Sequence, residues 1–182
     1  MTTVVSPTAW EFAQALRRLY FVRFGFAIAW AVLLFVTRSD LNPASVALLV
    51  LYPAFDVAAA VVDVRSSPAT GPARELYVNI AISLLAAIGI AIACGSGVPA
   101  VLRVWGAWAI VSGLVQLIVG VARRTMGGQW PMILSGGISV LAGAGFIMAA
   151  GRDDPSLANL AGYAVLGGIF FLVSALRLGR AA

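Results

Sequence analysis

Residues 76–94, LYVNIAISLLAAIGIAIAC, decide the fold. The stretch carries no charge, and as an α-helix it runs ~28 Å, close to the ~30 Å hydrocarbon core of a bilayer. Apolar and polar residues do not alternate along it, which argues against a strand of a transmembrane β-barrel. Five further stretches are comparably long and apolar, with at most two charged residues each: residues 19–37, 44–64, 100–122, 132–150 and 156–176. The expected fold class is therefore an all-α integral membrane protein with six transmembrane helices.

Composition agrees with that reading. Of 182 residues, 62% are hydrophobic and 10% charged, where a soluble domain carries about a quarter charged residues. The mean hydropathy is +1.00. A net charge of +5 would suggest nucleic acid in a soluble protein, but these arginines cluster at helix ends, so membrane topology accounts for them and no nucleic-acid partner is expected. The single cysteine, Cys94, excludes an internal disulfide. The absence of histidine removes the commonest metal ligand and catalytic base. No cleavable signal peptide is expected, since the first apolar stretch is too long for one and ends without a small-x-small site.

The stretches pair into hairpins. Arg38–Pro43, Gly95–Pro99 and Gly151–Pro155 are short breakers, each closing on a proline that suits the first turn of the next helix. The connections between hairpins are longer and richer in arginine. The sequence also repeats. Ile82-Ser-Leu-Leu-Ala-Ala-Ile-Gly89 matches Ile138-Ser-Val-Leu-Ala-Gly-Ala-Gly145, and Trp108-Ala-Ile-Val-Ser-Gly113 matches Tyr163-Ala-Val-Leu-Gly-Gly168. Ile28 and Tyr52 take the corresponding places in a more divergent first copy. Three parallel-repeated helical hairpins, residues 19–64, 75–122 and 131–177, follow an N-terminal segment, residues 1–18.

Orientation follows from arginine. Arg17, Arg18, Arg23, Arg65, Arg74, Arg123, Arg124, Arg177 and Arg180 fall on one side, and Arg38, Arg103 and Arg152 on the other. The positive-inside rule puts both termini in the cytoplasm. Thr8-Ala-Trp-Glu11 fits a capping box that starts a helix before the first span. That helix either lies on anionic lipid or simply extends the first span into water.

Glycines supply the expected packing surfaces, because helices in lipid associate through close van der Waals contact. Gly113, Gly137, Gly143, Gly145 and Gly168 are the principal candidates, and the same faces could serve self-association. No glycine follows a strand, so no phosphate loop is expected.

Asp56 is the outlier. A carboxylate near mid-membrane costs at least ~2.5 kcal/mol on insertion scales. It must be protonated, paired, or turned toward water. Tyr52 shares its helix face at i, i+4, and Pro53 loosens the backbone between them. Two readings stand: a proton- or cation-responsive site, or an acid that hydrogen-bonds a neighbouring helix and holds the bundle. Arg23 either snorkels to the interface or bridges to Asp56 or Asp63. The candidate intramembrane polar site is therefore Asp56, Tyr52 and Arg23. Asn79, Ser83, Gln116 and Ser139 read as interhelical hydrogen-bond donors. No catalytic, cofactor or metal constellation exists in the sequence, so no enzyme is expected.

The three repeats, the odd helix of Gly-Gly-Ile-Ser-x-Leu-Ala-Gly type (Gly136–Gly143) and the even helix with aromatic-x3-Ser/Gly-Gly followed by arginine resemble the HdeD family. These are small six-span bacterial inner-membrane proteins whose repeat is a domain of unknown function. The resemblance covers roughly residues 76–180. It implies a bacterial cytoplasmic-membrane protein linked to acid or envelope stress, with no catalytic residues to carry over. The alternatives are a small channel or transporter for protons, ions or small solutes, and a scaffold or accessory subunit of a membrane complex.

Overall fold

The computed structural model describes residues 9–66, 73–122, 124–126 and 130–178. They form six α-helices: α1 (Ala9–Thr37), α2 (Pro43–Ser66), α3 (Ala73–Cys94), α4 (Val98–Ala122), α5 (Trp130–Ala149) and α6 (Ala158–Leu178), with a short 3₁₀ turn at Arg124–Met126. All six are long and apolar enough to cross a membrane. Among the described residues there is no strand. The helix before the first span is continuous with it, so α1 starts ten residues earlier than its apolar stretch. Thr8 of the expected capping box lies outside the described residues.

The short turns are built as their residues require. Pro43 opens α2, and Asn42 Oδ1 accepts the backbone amides of Ala44 and Ser45 at 3.0 Å each. Ser45 Oγ in turn accepts the Asn42 amide at 3.0 Å, a reciprocal cap. Gly97 turns between α3 and α4 at φ +92°, a conformation open to glycine. α6 starts later than its apolar stretch because Ser156 acts as a cap, its Oγ accepting the Ala158 amide at 3.2 Å.

Each helix packs on its chain neighbours, and α6 packs on α1, so the six close into a ring. The most extensive contacts lie between hairpins, at α4/α5, α1/α6 and α2/α3. Glycine explains the first. Gly106, Gly113 and Gly120 recur every seven residues on α4, and Gly136 and Gly143 do so on α5. A period of seven keeps one seam facing a partner along a left-handed crossing. A Cβ on Gly113 would stand 2.7 Å from the Gly136 carbonyl oxygen, and one on Gly136 would stand 2.7 Å from that of Gly113. Gly106 and Gly143 make the same reciprocal approach. Backbones this close gain dispersion and Cα–H···O contacts.

Gly168 serves α1/α6, where a Cβ would meet Ala27 at 3.2 Å. Gly137 and Gly145, expected on the same packing surface, instead have nothing within 4 Å of a Cβ, and Gly145 is exposed. The seven-residue seam selects Gly136 and Gly143, and Gly137 and Gly145 fall off it.

Burial is uneven along the bundle. The large side chains with under 2% exposure, Trp30, Leu34, Leu49, Ile90, Leu102, Trp105, Leu157 and Leu160 among them, all lie toward the short-turn end. At the arginine-rich end, the buried residues are small: Ala59, Ala60, Gly113, Gly120, Gly136 and Ala175.

Gly113→Ala should destabilise the protein by ~1–3 kcal/mol, the usual cost of overpacking, whereas Gly137→Ala should be neutral or stabilising. Thermal unfolding of both variants in detergent checks this: equal midpoints would mean that the α4/α5 backbones are not in contact.

Candidate functional site

Asp56 sits ~20 Å along α2 from the short-turn end by helix rise, and Arg23 lies at the same level on α1. The two pair, with Arg23 Nη2 3.2 Å from Asp56 Oδ1. The arginine therefore turns inward and does not snorkel; its side chain is 14% exposed and that of Asp56 22%. The second carboxylate oxygen accepts from α3: Asn79 Nδ2 donates at 2.9 Å and Ser83 Oγ at 2.7 Å. One carboxylate thus joins three helices. The Phe171 ring of α6 carries the guanidinium on its face, 4.9 Å from centroid to Cζ, a cation–π contact that strengthens where water is scarce.

The network has a definite end. Ser83 Oγ accepts from the Trp108 indole N–H of α4 at 3.3 Å. An indole is a donor only. Trp108 can neutralise a lone pair there, but it cannot pass a proton onward.

The aromatic centre of the ring begins at the same level. Trp30 stacks on Trp105 (centroids 5.5 Å), Tyr52 meets Trp30 edge-on at 4.6 Å, and Trp108 meets Trp105 edge-on at 5.3 Å. These rings come from α1, α2 and α4, which span the ring of helices, so they fill its middle. Trp30 also donates to the Leu48 carbonyl at 2.6 Å, one residue before the Leu49 carbonyl that Pro53, lacking an N–H, cannot serve. α2 nevertheless runs through Pro53 without a break.

A small cleft abuts the ion pair, lined by Arg23, Phe26, Tyr52, Phe55, Asp56 and Phe171. Its cavity volume is about 20 Å³, room for one water molecule. Arg23 Nε is buried without a hydrogen-bond partner. Among the described residues no group of three or more His, Cys, Asp and Glu side chains comes together to hold a metal.

The three residues expected at the site are thus brought together, Tyr52 as a wall of the cleft. Asn79 and Ser83, read from sequence as interhelical donors, turn out to be partners of Asp56. Phe171 and Trp108 were not foreseen as part of the site, because an aromatic residue in an apolar span gives no sign of which charge it will meet. A second serine–aromatic bond joins α5 to α6, with Ser139 Oγ 2.9 Å from Tyr163 Oη. The chain matches no known family model, no curated protein and no solved structure.

Removing one member of a largely buried pair strands the other charge, at a cost of up to ~3–5 kcal/mol, while replacing both with apolar residues is often close to neutral. Asp56→Leu and Arg23→Leu should each lower the unfolding midpoint sharply, and the double variant should recover most of the loss. A double-mutant cycle of unfolding free energies measures this; strictly additive losses would show that the pair does not couple.

Proposed function

We propose that this chain is a non-enzymatic, six-span protein of the bacterial cytoplasmic membrane, of the HdeD type, acting in tolerance of acid or envelope stress, with the Arg23–Asp56 pair as its proton-responsive latch. The observation that carries the reading is the Asp56 carboxylate bound by donors from α1 and α3 at once. Protonation removes the anion. Arg23 is then a cation with no counter-charge in an apolar bundle, ~10 Å from the arginine-rich boundary of a ~30 Å core, within the compass of a snorkelling side chain. Its departure removes the ion pair between α1 and α2 and leaves the Trp30 contacts to hold them at the short-turn end.

The repeat fits this architecture. In the aligned copies, Ser83 bonds Trp108 and Ser139 bonds Tyr163, the same two positions in each. Gly113 and Gly168, also aligned, sit in the α4/α5 and α1/α6 contacts. Topology with both termini cytoplasmic rests on the arginine distribution, and the surrounding partner is the lipid bilayer.

Two features weigh against a conduit. The hydrogen-bonded chain from Asp56 stops at a donor-only indole. The cleft beside it admits one water, not a solute.

A strain lacking the protein should survive acid challenge less well than its parent. Plasmid-borne wild type and Gly137→Ala should restore survival, and Asp56→Asn should not. Full survival of the deletion strain under both acid and envelope stress would remove the proposal. In parallel, proteoliposomes bearing the wild type should hold a pH gradient as long as empty vesicles; a leak abolished by Asp56→Asn would make the protein a conduit instead.

A further inference from the structure

We infer that Asp56 exchanges protons with one compartment alone, the one at the arginine-rich end of the bundle. This rests on the proton-responsive reading of Asp56 and assigns the side that it samples.

Burial differs on the two sides of the carboxylate. Toward the short turns, the way from Asp56 meets Tyr52 and Pro53, then the Trp30, Trp105 and Trp108 rings in mutual contact. Beyond these come Leu34, Leu49, Leu102, Leu157 and Leu160, each at 0% exposure. Over those ~20 Å the large buried side chains are rings, leucines and Ile90. Toward the arginine-rich end the situation reverses. Among the described residues past the level of Asp56, the buried ones are glycine and alanine: Ala59 and Ala60 on α2, Gly113 and Gly120 on α4, Gly136 on α5 and Ala175 on α6. Past Arg23 on this side stands an aromatic pair, Tyr20 against Phe171 at 5.8 Å between centroids, and the Tyr20 hydroxyl is itself polar. The side chains of the ion pair keep 14% and 22% exposure, and the cleft beside them has room for one water.

The groups facing Asp56 suit access from that end. Arg23 faces it from α1, and Asn79 and Ser83 face it from α3. On its own helix, Tyr52 lies on the sealed side and Asp63 on the open side. Glu75 lies a turn beyond Asn79 on the open side, and Phe171 of α6 covers Arg23, with Arg177 farther out. Tyr163 of α6 is bonded to Ser139 on the sealed side. The open route thus carries carboxylates, arginines and the Tyr20 hydroxyl of α1 beside the Phe171 ring, and the closed one carries the tryptophan rings and fully buried leucines. Under the proposed topology the open route faces the cytoplasm, so the latch answers cytoplasmic acidification and ignores the outer face.

The infrared band of a protonated carboxyl tests this. In detergent, acidification should raise a band in the wild type that Asp56→Asn lacks; should that variant not fold, Asp56→Glu, which retains the acid and shifts the band, assigns it. Absence of any such band removes the proton-responsive reading itself. In sealed proteoliposomes, orientation is scored with a membrane-impermeant maleimide on Arg74→Cys or Arg152→Cys in a Cys94→Ala background. Each side is then acidified in turn while the other is held. The expected result is a band that follows the arginine-rich side and stays absent when the short-turn side alone is acidified. A band that follows the short-turn side, or both sides, overturns the inference.

Discussion

One carboxylate in an apolar bundle constrains everything near it. Asp56 has no place in a span unless its charge is met, and the chain meets it with Arg23 on one oxygen and Asn79 and Ser83 on the other. Those three donors come from helices on both sides of α2. The requirement therefore sets the rotation of α1, α2 and α3 about their axes, and with it which residues of each face the middle of the ring. Trp30 and Tyr52 face inward because Arg23 and Asp56 do, roughly two turns and one turn away on the same helices.

The remaining contacts are solved by a different physical device. α2 has no glycine, whereas α4 and α5 bring glycines into backbone contact and Gly168 of α6 does so against Ala27. Lipid gives little hydrophobic reward for helix association, so contact must come from close approach or from polar bonds. The α4/α5 seam takes the first course. The α2/α3 contact takes the second, through the Asp56 bonds to Asn79 and Ser83. The two devices differ in response: a glycine seam is indifferent to acid, and a carboxylate bonded to an arginine is not.

Much of this was legible in the residues. Run length and the proline-closed breakers located all six helices, and the isolated acid at position 56 marked the site. What was not legible depended on rotation. Gly136 and Gly137, or Gly143 and Gly145, look equivalent in a string; the choice between them needs the seven-residue seam shared with Gly106 and Gly113, which appears once the antiparallel pairing is known. Arg23 had two permissible outcomes, to snorkel or to bridge, because an arginine at that depth reaches either. The Phe171 ring over its guanidinium comes from the far end of the chain, and no local pattern joins residue 23 to residue 171.

The proposed repeat also gives a reason for the acid to occur once. Under the alignment, Asp56 corresponds to Ser112 and Gly167. Ser112 is followed by Gly113, whose contact with Gly136 leaves no room even for a methyl group, and Gly167 is followed by Gly168, tight against Ala27. A carboxylate with its three donors needs a wider separation than those seams permit. Among the three contacts between hairpins, α2 against α3 is the one without a close glycine approach, and the carboxylate sits there. Asymmetry among the copies is then what a glycine-packed bundle must accept if it is to hold a charge at all: two contacts hold the ring shut, and the third is left to respond.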